Sequence, residues 1–331
     1  MARLRWLLAL GLLAALQLMA LWMAHREAGS AWVPSPLPTR TVTPSPTPTA
    51  TRTPPPTSTA TPIPSPTLTP PCMPGHWASG RIPVPDMGLE IPYRIYLPSC
   101  LQSGRRHPTL YLLHGYPYDE SHWDTLGIDE ALEAGIRAGR WPPVLIVLPS
   151  FPDNLFVYTS GGPGSVEAVL LEAVIPAVEA TYPAEGARWA RAIGGISRGG
   201  VWALEIAFRH PEVFASVGGH SPALSVNEAP PDFDPFVLAA RADLRGLRIY
   251  LSAGDSDWAL KGTQRLAEAL AARGIPAHLE VHPGTHEDAL WAGALEAYLD
   301  FYTAPWRAGP PDSRRSMLCF CLQARRAGLL P

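Results

Sequence analysis

The 331-residue sequence predicts an α/β fold, in which helices cover both faces of a mostly parallel, twisted sheet. Three observations support this prediction. Strand-like and helix-like patterns alternate between residues 73 and 304. A G-x-S-x-G sequence at residues 195–199 separates a strand pattern from a helix pattern. An aspartate and a histidine each follow a later strand, at the edge where open α/β sheets bind their ligands.

The predicted elements follow one another along the chain as buried strands and amphipathic helices. The first two strands are expected to be antiparallel and lie at residues 80–83 and 89–97. Further strands are predicted at residues 109–113, 144–148, 189–193, 215–218, 247–251 and 277–281. Helices are predicted at residues 128–138, 166–181, 201–210, 263–273 and 288–302.

The G-x-S-x-G sequence places Ser197 at a tight turn from a strand into a helix, which is the context of a nucleophile elbow. Glycine is expected at positions 195 and 199 because a side chain there would collide with neighbouring backbone. The following helix directs its free N–H groups towards the charge that develops at Ser197. The alternative is a chance match in a glycine-rich loop, so the role of Ser197 depends on partners elsewhere in the chain.

The last two predicted strands are followed by residues that complete a catalytic triad. Asp255 and Asp257 follow the first of these strands, and we favour Asp257, which lies three residues beyond Gly254. His282 and His286 follow the second, and we favour His286 because His282 adjoins the strand and is explained by packing. A histidine with a pKa near 6.5 can accept the serine proton, and the aspartate orients its ring. The order Ser, Asp, His along the chain is that of α/β-hydrolases.

Two backbone N–H groups are needed to stabilise the tetrahedral oxyanion. The first is expected from Arg198, which directly follows the nucleophile. The second is expected from the loop after the third strand, and Tyr116 is the natural donor because Pro117 has no N–H.

Three tryptophans fall near the predicted site. Trp123, Trp258 and Trp291 are candidates to line a pocket for an aromatic acyl group or a sugar. The alternative is that they belong to the core, and this applies most to Trp291, which is predicted on a helix.

No metal or cofactor is predicted. His282 and His286 have the spacing of a helical metal site, but Pro283 and Gly284 between them exclude a helix. The net charge of −3 and the lack of a basic cluster in the body of the chain give no indication of nucleic-acid binding.

Residues 1–32 are predicted to be a signal peptide or an uncleaved membrane anchor. The apolar stretch at residues 6–24 follows Arg3 and Arg5 and would span about 28 Å as a helix, close to the thickness of a bilayer core. An anchor is the first interpretation, and cleavage near residues 28–31 is the alternative.

The remaining segments differ sharply in composition. Residues 33–72 are rich in Pro, Thr and Ser, so we expect a disordered, extended stalk. Residues 73–304 are predicted to form the catalytic domain, followed by a tail at residues 305–331. A stalk beside a membrane segment favours display of the domain outside the cytoplasmic membrane.

The four cysteines lie at the borders of the predicted domain. An exported context favours a disulfide between Cys72 and Cys100, and the alternative is two reduced thiols. Cys319 and Cys321 lie in the tail and, being separated by one residue, make a poor mutual disulfide.

The sequence resembles the esterase D and feruloyl esterase family of α/β-hydrolases. That family also includes S-formylglutathione hydrolases, enterochelin esterases and the mycolyltransferases of the antigen 85 complex. Besides the elbow, Trp123 and Trp291, the matching stretches are Y-R-I-Y-L-P at 93–98, Y-L-L-H-G at 111–115, G-D-S-D at 254–257 and G-T-H-E-D at 284–288.

The resemblance implies a carboxylic-ester hydrolase that acts through an acyl-enzyme without a cofactor, and the apolar segment and the stalk add the expectation that it is exported. It assigns Ser197, Asp257 and His286 as nucleophile, acid and base, and Tyr116 and Arg198 as oxyanion donors. The expected partner is a small-molecule or glycan-linked ester. Two alternatives stay open, an acyltransferase on the same fold and a non-catalytic, stalked surface protein.

The sequence departs from the family pattern at two places beside the site. Many members have Met or Leu where Arg198 stands, and its long side chain could alter the acyl pocket. Many members have a small, glycine-rich loop where Tyr116, Pro117 and Tyr118 stand, so the entrance is expected to be narrower.

Overall fold

The computed structural model describes residues 73–309. The predicted membrane segment (1–32), the stalk (33–72) and the tail beyond residue 309 lie outside the described residues, as do Cys72, Cys319 and Cys321. Cys100 is disulfide-bonded, and its partner also lies outside this range. Among residues 73–309, no helix combines the length and the apolar character that crossing a membrane requires.

The described residues form an eight-stranded sheet in the order β1-β2-β4-β3-β5-β6-β7-β8. β1 pairs antiparallel with β2, and β2 pairs antiparallel with β4, whereas all later pairs are parallel. The predicted mostly parallel sheet with antiparallel opening strands is therefore confirmed. The strands are β1 (His76–Val84), β2 (Leu89–Leu97), β3 (Thr109–Leu113), β4 (Leu145–Pro149), β5 (Arg191–Ile196), β6 (Ser216–His220), β7 (Arg248–Gly254) and β8 (Ala277–His282).

Helices connect the strands along the described chain. They are α1 (His122–Thr125), α2 (Ile128–Arg137), α3 (Asp153–Phe156), α4 (Val166–Val169), α5 (Ile175–Thr181), α6 (Arg198–Arg209), α7 (Pro235–Arg241), α8 (Leu260–Ala272), α9 (Asp288–Gly293) and α10 (Leu295–Thr303). A π-helical stretch, Leu170–Val174, joins α4 to α5, so the helix predicted at 166–181 contains a wider turn. Single 3-10 turns occur at Pro85–Met87, Arg188–Ala190, Leu224–Val226 and Ala304–Trp306.

Alternate residues of each central strand pack into two separate hydrophobic clusters, one on each face of the sheet. In β3, Tyr111 and Leu113 join the cluster that includes α6 and α8, while Leu110 and Leu112 join the cluster that includes α2 and α10. All five residues of β3 are buried, which explains why the strand has a continuous apolar sequence. Helices thus cover both faces, as predicted.

The segment between β4 and α4, which includes the short helix α3, is hydrogen-bonded to α6, the helix after Ser197. The Arg198 guanidinium donates to the carbonyl oxygens of Phe156 and Thr159, each at 2.9 Å, and to Asn227 Oδ1 at 3.0 Å. On α4, the carboxylate of Glu167 accepts hydrogen bonds from the Gly162 N–H, from Arg209 and from His210. These contacts join this segment and α4 to α6, the helix that begins directly after Ser197.

Glu205, on α6, is a second buried carboxyl group near Glu167, and it is only 1% exposed. Its Oε1 has no hydrogen-bond partner among the described residues. Burial, reinforced by the charge of Glu167, raises the pKa of Glu205 from 4.5 to about 8, although Arg198 and Arg209 act in the opposite direction. Between pH values of about 4.5 and 8, Glu205 therefore keeps its proton in the folded protein but loses it in the unfolded chain.

Because only the unfolded chain releases this proton, we expect the free energy of unfolding to fall as the pH rises through that window, by up to about 1.4 kcal/mol per pH unit. Glu205→Gln keeps the shape of the group but cannot ionise, so its stability should fall less between about pH 5 and about pH 9. Urea denaturation at several pH values measures the difference. Glu268→Gln, on the exposed face of α8, is the matched control and should follow the wild type. Parallel stability curves for the wild type and Glu205→Gln would contradict the assignment.

Candidate active site

Ser197 lies at the turn between β5 and α6 with φ 54° and ψ −116°, a conformation that non-glycine residues rarely adopt. A Cβ added at Gly195 would lie 2.3 Å from the carbonyl carbon and oxygen of Gly199. A Cβ added at Gly199 would lie 2.3 Å from the carbonyl oxygen of His114. Both contacts are too short for real atoms, so the steric requirement predicted for the two glycines is confirmed.

The side chains of Ser197, His286 and Asp257 form one continuous chain of hydrogen bonds. Ser197 Oγ lies 2.9 Å from His286 Nε2, and His286 Nδ1 lies 2.8 Å from Asp257 Oδ1. Asp257 follows β7 and His286 follows β8, two parallel neighbours on the same side of β5. The sheet therefore brings these three residues together across a large separation in sequence.

The Asp257 carboxylate is fully buried, with an exposed side-chain fraction of 0%. Burial acts to raise its pKa, but hydrogen bonds from His286 and from the Ala259 N–H outweigh that effect, so the pKa is lowered. The carboxylate is therefore ionised at neutral pH. It can accept a hydrogen bond from the Nδ1–H of His286, which fixes the tautomer in which Nε2 is free to accept the serine proton.

The two competing residues, Asp255 and His282, lie apart from this chain. Asp255 Oδ1 accepts hydrogen bonds from the Gly284 N–H at 3.2 Å and from the Ser256 hydroxyl at 3.0 Å, so it stabilises the surrounding loop. His282 is the last residue of β8 and lies with Nδ1 3.9 Å from Glu280 Oε1.

Both expected oxyanion donors lie beside Ser197. The loop after β3 packs against the elbow, since a Cβ added at Gly115 would lie 3.7 Å from the Cβ of Ser197. Within residues 73–309, the Tyr116 N–H donates to no protein group. Arg198 is the first residue of α6, where a backbone N–H has no partner inside the helix. Both N–H groups are thus available to a ligand.

A cavity of about 400 Å³ opens over Ser197 and His286. Its walls come from the loop after β3 and from the start of α9. The lining residues are Gly115, Tyr116, Pro117, Tyr118, Ser197, His286, Glu287, Asp288, Ala289 and Trp291. A larger cavity of about 910 Å³ lies between β7, β8 and α10, but none of the three hydrogen-bonded residues lines it. The chemistry therefore assigns the smaller cavity as the site.

A family model described as "Putative esterase" matches residues 85–302 of the chain. The chain belongs to this esterase family. This membership favours carboxylic-ester hydrolysis over the non-catalytic alternative.

The chain is similar to curated proteins that are named as esterases. The chain is 30% identical over 196 residues to an endo-1,4-beta-xylanase/feruloyl esterase of Xylanibacter ruminicola. This match covers 58% of the chain and 26% of that protein. It is 27% identical over 195 residues to an iron(III) salmochelin esterase of Escherichia coli, covering 54% of the chain and 47% of the relative. The chain thus spans between a quarter and a half of the length of these relatives.

Solved structures show the same fold. A ferulic acid esterase superposes with a TM-score of 0.65 at 23% identity, covering 70% of the chain and 99% of that structure. An S-formylglutathione hydrolase from Staphylococcus aureus superposes with a TM-score of 0.60 at 18% identity, covering 69% of the chain and 99% of that structure. The esterase therefore has the α/β-hydrolase fold.

The three tryptophans of interest occupy different environments in the esterase. Trp258 is 48% exposed, and its ring lies 4.4 Å from that of His286. Trp291 lines the cavity, lies edge-on to His286 at 5.1 Å and donates a hydrogen bond to Ser221 Oγ. Trp123 is 1% exposed and packs in the core, where its Nε1 donates to the Leu113 carbonyl. Since Trp123 is inaccessible, we do not retain it as a pocket residue.

The structure also brings to the site two residues, His122 and Asp288, for which the sequence pattern predicts no separate role. His122 Nδ1 lies 3.2 Å from the Gly115 N, and Nε2 lies 3.1 Å from Asp288 Oδ1. No motif marks His122, whose partner Asp288 lies 166 positions away. Within the described part of the chain, no group of three or more His, Cys, Asp or Glu residues is arranged to hold a metal ion.

Asp257→Asn should lower kcat by roughly 10⁴-fold, because an amide at this position holds the wrong tautomer of His286. Asp255→Asn is the matched control, and we expect it to lose less than about tenfold because Asp255 lies outside the hydrogen-bonded chain. Steady-state hydrolysis of p-nitrophenyl acetate measures both. A larger loss in Asp255→Asn than in Asp257→Asn would reverse the assignment of the acid.

Proposed function

We propose that the esterase cleaves its substrates through an acyl-enzyme formed on Ser197, with His286 as general base and Asp257 as the acid that orients it. The observation that carries this proposal is the unbroken chain of hydrogen bonds from Ser197 Oγ to the buried Asp257 carboxylate. An activated serine beside two unused N–H donors is suited to acyl transfer.

In the first half of the reaction, Ser197 Oγ attacks the ester carbonyl carbon as its proton passes to His286 Nε2. The N–H groups of Tyr116 and Arg198 donate to the oxyanion that forms. Asp257 stabilises the imidazolium, which then protonates the leaving alcohol oxygen as the ester C–O bond breaks. The alcohol departs and the acyl group stays on Ser197.

In the second half, a water molecule gives a proton to His286 and attacks the acyl carbon. The same N–H donors of Tyr116 and Arg198 stabilise the second tetrahedral intermediate. When the bond to Ser197 Oγ breaks, His286 returns the proton to the serine and the carboxylic acid leaves. An alcohol that replaced water in this step would give acyl transfer instead of hydrolysis.

The substrate class that fits the entrance is an aromatic or glycan-linked ester. The rings of Tyr116, Tyr118 and Trp258 are 50%, 45% and 48% exposed around the site. Exposed aromatic rings stack on sugar and phenolic rings. One relative is named a feruloyl esterase, which supports the same class.

We also propose that the enzyme acts outside the cytoplasmic membrane. The apolar run, the Pro/Thr-rich stretch and the disulfide bond at Cys100 support this location, since disulfides persist in oxidising compartments. Pairing of Cys100 with Cys72 remains a prediction.

Protease added to intact cells should cut within residues 33–72 and release active enzyme into the medium, because the catalytic domain begins at about residue 73. Ester hydrolysis in the supernatant, before and after protease, measures the release. A cytoplasmic marker enzyme that stays inside the cells is the control. Activity that appears only after the cells are broken would contradict the proposed location.

Ser197→Ala should lower kcat/KM by at least ~10³-fold for p-nitrophenyl acetate and for methyl ferulate, because only binding and the oxyanion donors remain. Ser103→Ala, at an exposed position outside the site, is the matched control and should retain wild-type activity. Comparison of methyl ferulate with p-nitrophenyl esters of rising chain length identifies the acyl preference. If Ser197→Ala kept more than about a tenth of the wild-type rate, Ser197 would not be the nucleophile.

A further inference from the structure

We propose that His122 is a positioning residue that holds the oxyanion loop, residues 115–118, in the geometry that aims the Tyr116 N–H at the developing oxyanion. This inference rests on the proposed function, because it assumes that Tyr116 serves as an oxyanion donor. His122 is 2% exposed and does not line the cavity. It therefore acts through the loop and does not touch the substrate.

Both ring nitrogens of His122 are engaged, and their partners determine the tautomer. The Gly115 N–H is a donor, so His122 Nδ1, 3.2 Å away, must be the unprotonated acceptor. The ring proton is then on Nε2, which donates to Asp288 Oδ1 at 3.1 Å. A rotation of the ring would lose both hydrogen bonds and leave the buried Gly115 N–H without an acceptor, which is costly.

The same imidazole also holds the other end of the oxyanion loop. The ring of Tyr118 stacks on it with 3.8 Å between ring centroids and an interplanar angle of 4°. The Tyr118 N–H donates to the Gly115 carbonyl at 2.9 Å, which closes the turn. Tyr116 lies between these two anchored residues. Its own side chain is 50% exposed, so its neighbours must provide most of the restraint on its backbone.

His122 further connects the oxyanion loop to the segment that carries the catalytic base. Asp288 is the first residue of α9, lies two positions after His286 and lines the same cavity. Trp291, also on α9, lies edge-on to both His122 and His286, at 5.9 Å and 5.1 Å. One interaction therefore fixes the oxyanion donor relative to the base across the substrate cavity.

The principal test is His122→Phe, which keeps an aromatic ring for Tyr118 but removes both hydrogen bonds. We expect kcat for p-nitrophenyl acetate to fall by roughly 10- to 100-fold, because a small displacement of one donor weakens transition-state stabilisation. KM should stay within about threefold, since the cavity walls remain. His122→Asn places an amide oxygen near the position of Nδ1 and should recover about half of the loss on a logarithmic scale.

A transition-state analogue separates positioning from a general structural role. Phenethyl trifluoromethyl ketone forms an oxyanion on Ser197, so its inhibition constant should rise in His122→Phe by the same factor as kcat/KM falls. His107→Phe replaces a buried histidine before β3, remote from the cavity, and is the matched control for the loss of an imidazole. It should leave kcat and the inhibition constant unchanged.

The tether can be tested separately at Asp288, whose side chain is 42% exposed, so that folding is not at risk. Asp288→Ala should lower kcat several-fold and raise the inhibition constant of the trifluoromethyl ketone by a similar factor. Asp288→Asn keeps an oxygen acceptor for His122 Nε2 and should recover most of that loss. This pair decides the question if His122→Phe fails to fold.

Three results would overturn the proposal. The first is a folded His122→Phe whose kcat lies within about threefold of the wild type. The second is a His122→Phe that changes only KM and leaves the inhibition constant of the ketone unchanged. The third is wild-type activity in both Asp288→Ala and Asp288→Asn. Ser197→Ala is assayed in parallel. An active Ser197→Ala would refute the proposed function, whereas an inactive Ser197→Ala with an active His122→Phe would refute only the role of His122.

Discussion

The strained backbone of Ser197 is the constraint on which the rest of the site depends. Its positive φ costs on the order of 1–3 kcal/mol and persists only because the surroundings impose it. The Ser197 N–H donates to the His220 carbonyl at 2.9 Å, and the Ser197 carbonyl accepts from the N–H groups of Ala223 and Val201 at 3.0 and 3.2 Å. Gly195 and Gly199 permit the close approach of strand and helix that these bonds require. Together they aim the serine hydroxyl away from the sheet, towards the cavity.

The parallel sheet supplies the other groups to that fixed point. β5, β7 and β8 end at the same edge, so Ser197, Asp257 and His286 converge although long helical segments separate them in sequence. The loop after β3 enters the same edge and is restrained by contacts from α1 and α9. Each of these three residues thus follows a different strand, and the packed core on the two faces of the sheet fixes their relative distances.

The sequence predicted those features whose cause is local. The elbow requires glycine on both sides of Ser197, and this pattern is visible without the fold. The distinction between Asp257 and Asp255 also followed from spacing after Gly254, and the structure places Asp257 against His286. Helix α7 was missed, although its cap residue Asp234, which accepts from the Phe236 N–H, is a local signal that could have found it.

Features that depend on tertiary packing could not be predicted. Trp123 lies on α1, a four-residue helix too short to show a periodic apolar face, so its burial was not visible in the sequence. His122 adjoins it and gains its role from Gly115 and from Asp288, whose proximity only the folded chain creates. The side chain of Arg198 was expected to affect the acyl pocket, but its guanidinium hydrogen-bonds to Phe156, Thr159 and Asn227, none of which lines the cavity over Ser197.

The most direct test of the account is covalent labelling by a fluorophosphonate, which reacts with a serine only when a base activates it and an oxyanion site accepts the phosphoryl oxygen. Intact-protein mass spectrometry followed by peptide mapping measures the number and the position of the adducts. The account predicts one adduct per chain, located on Ser197 and absent from Ser197→Ala. An unlabelled wild-type protein, or an adduct on another serine such as the buried Ser221, would contradict it.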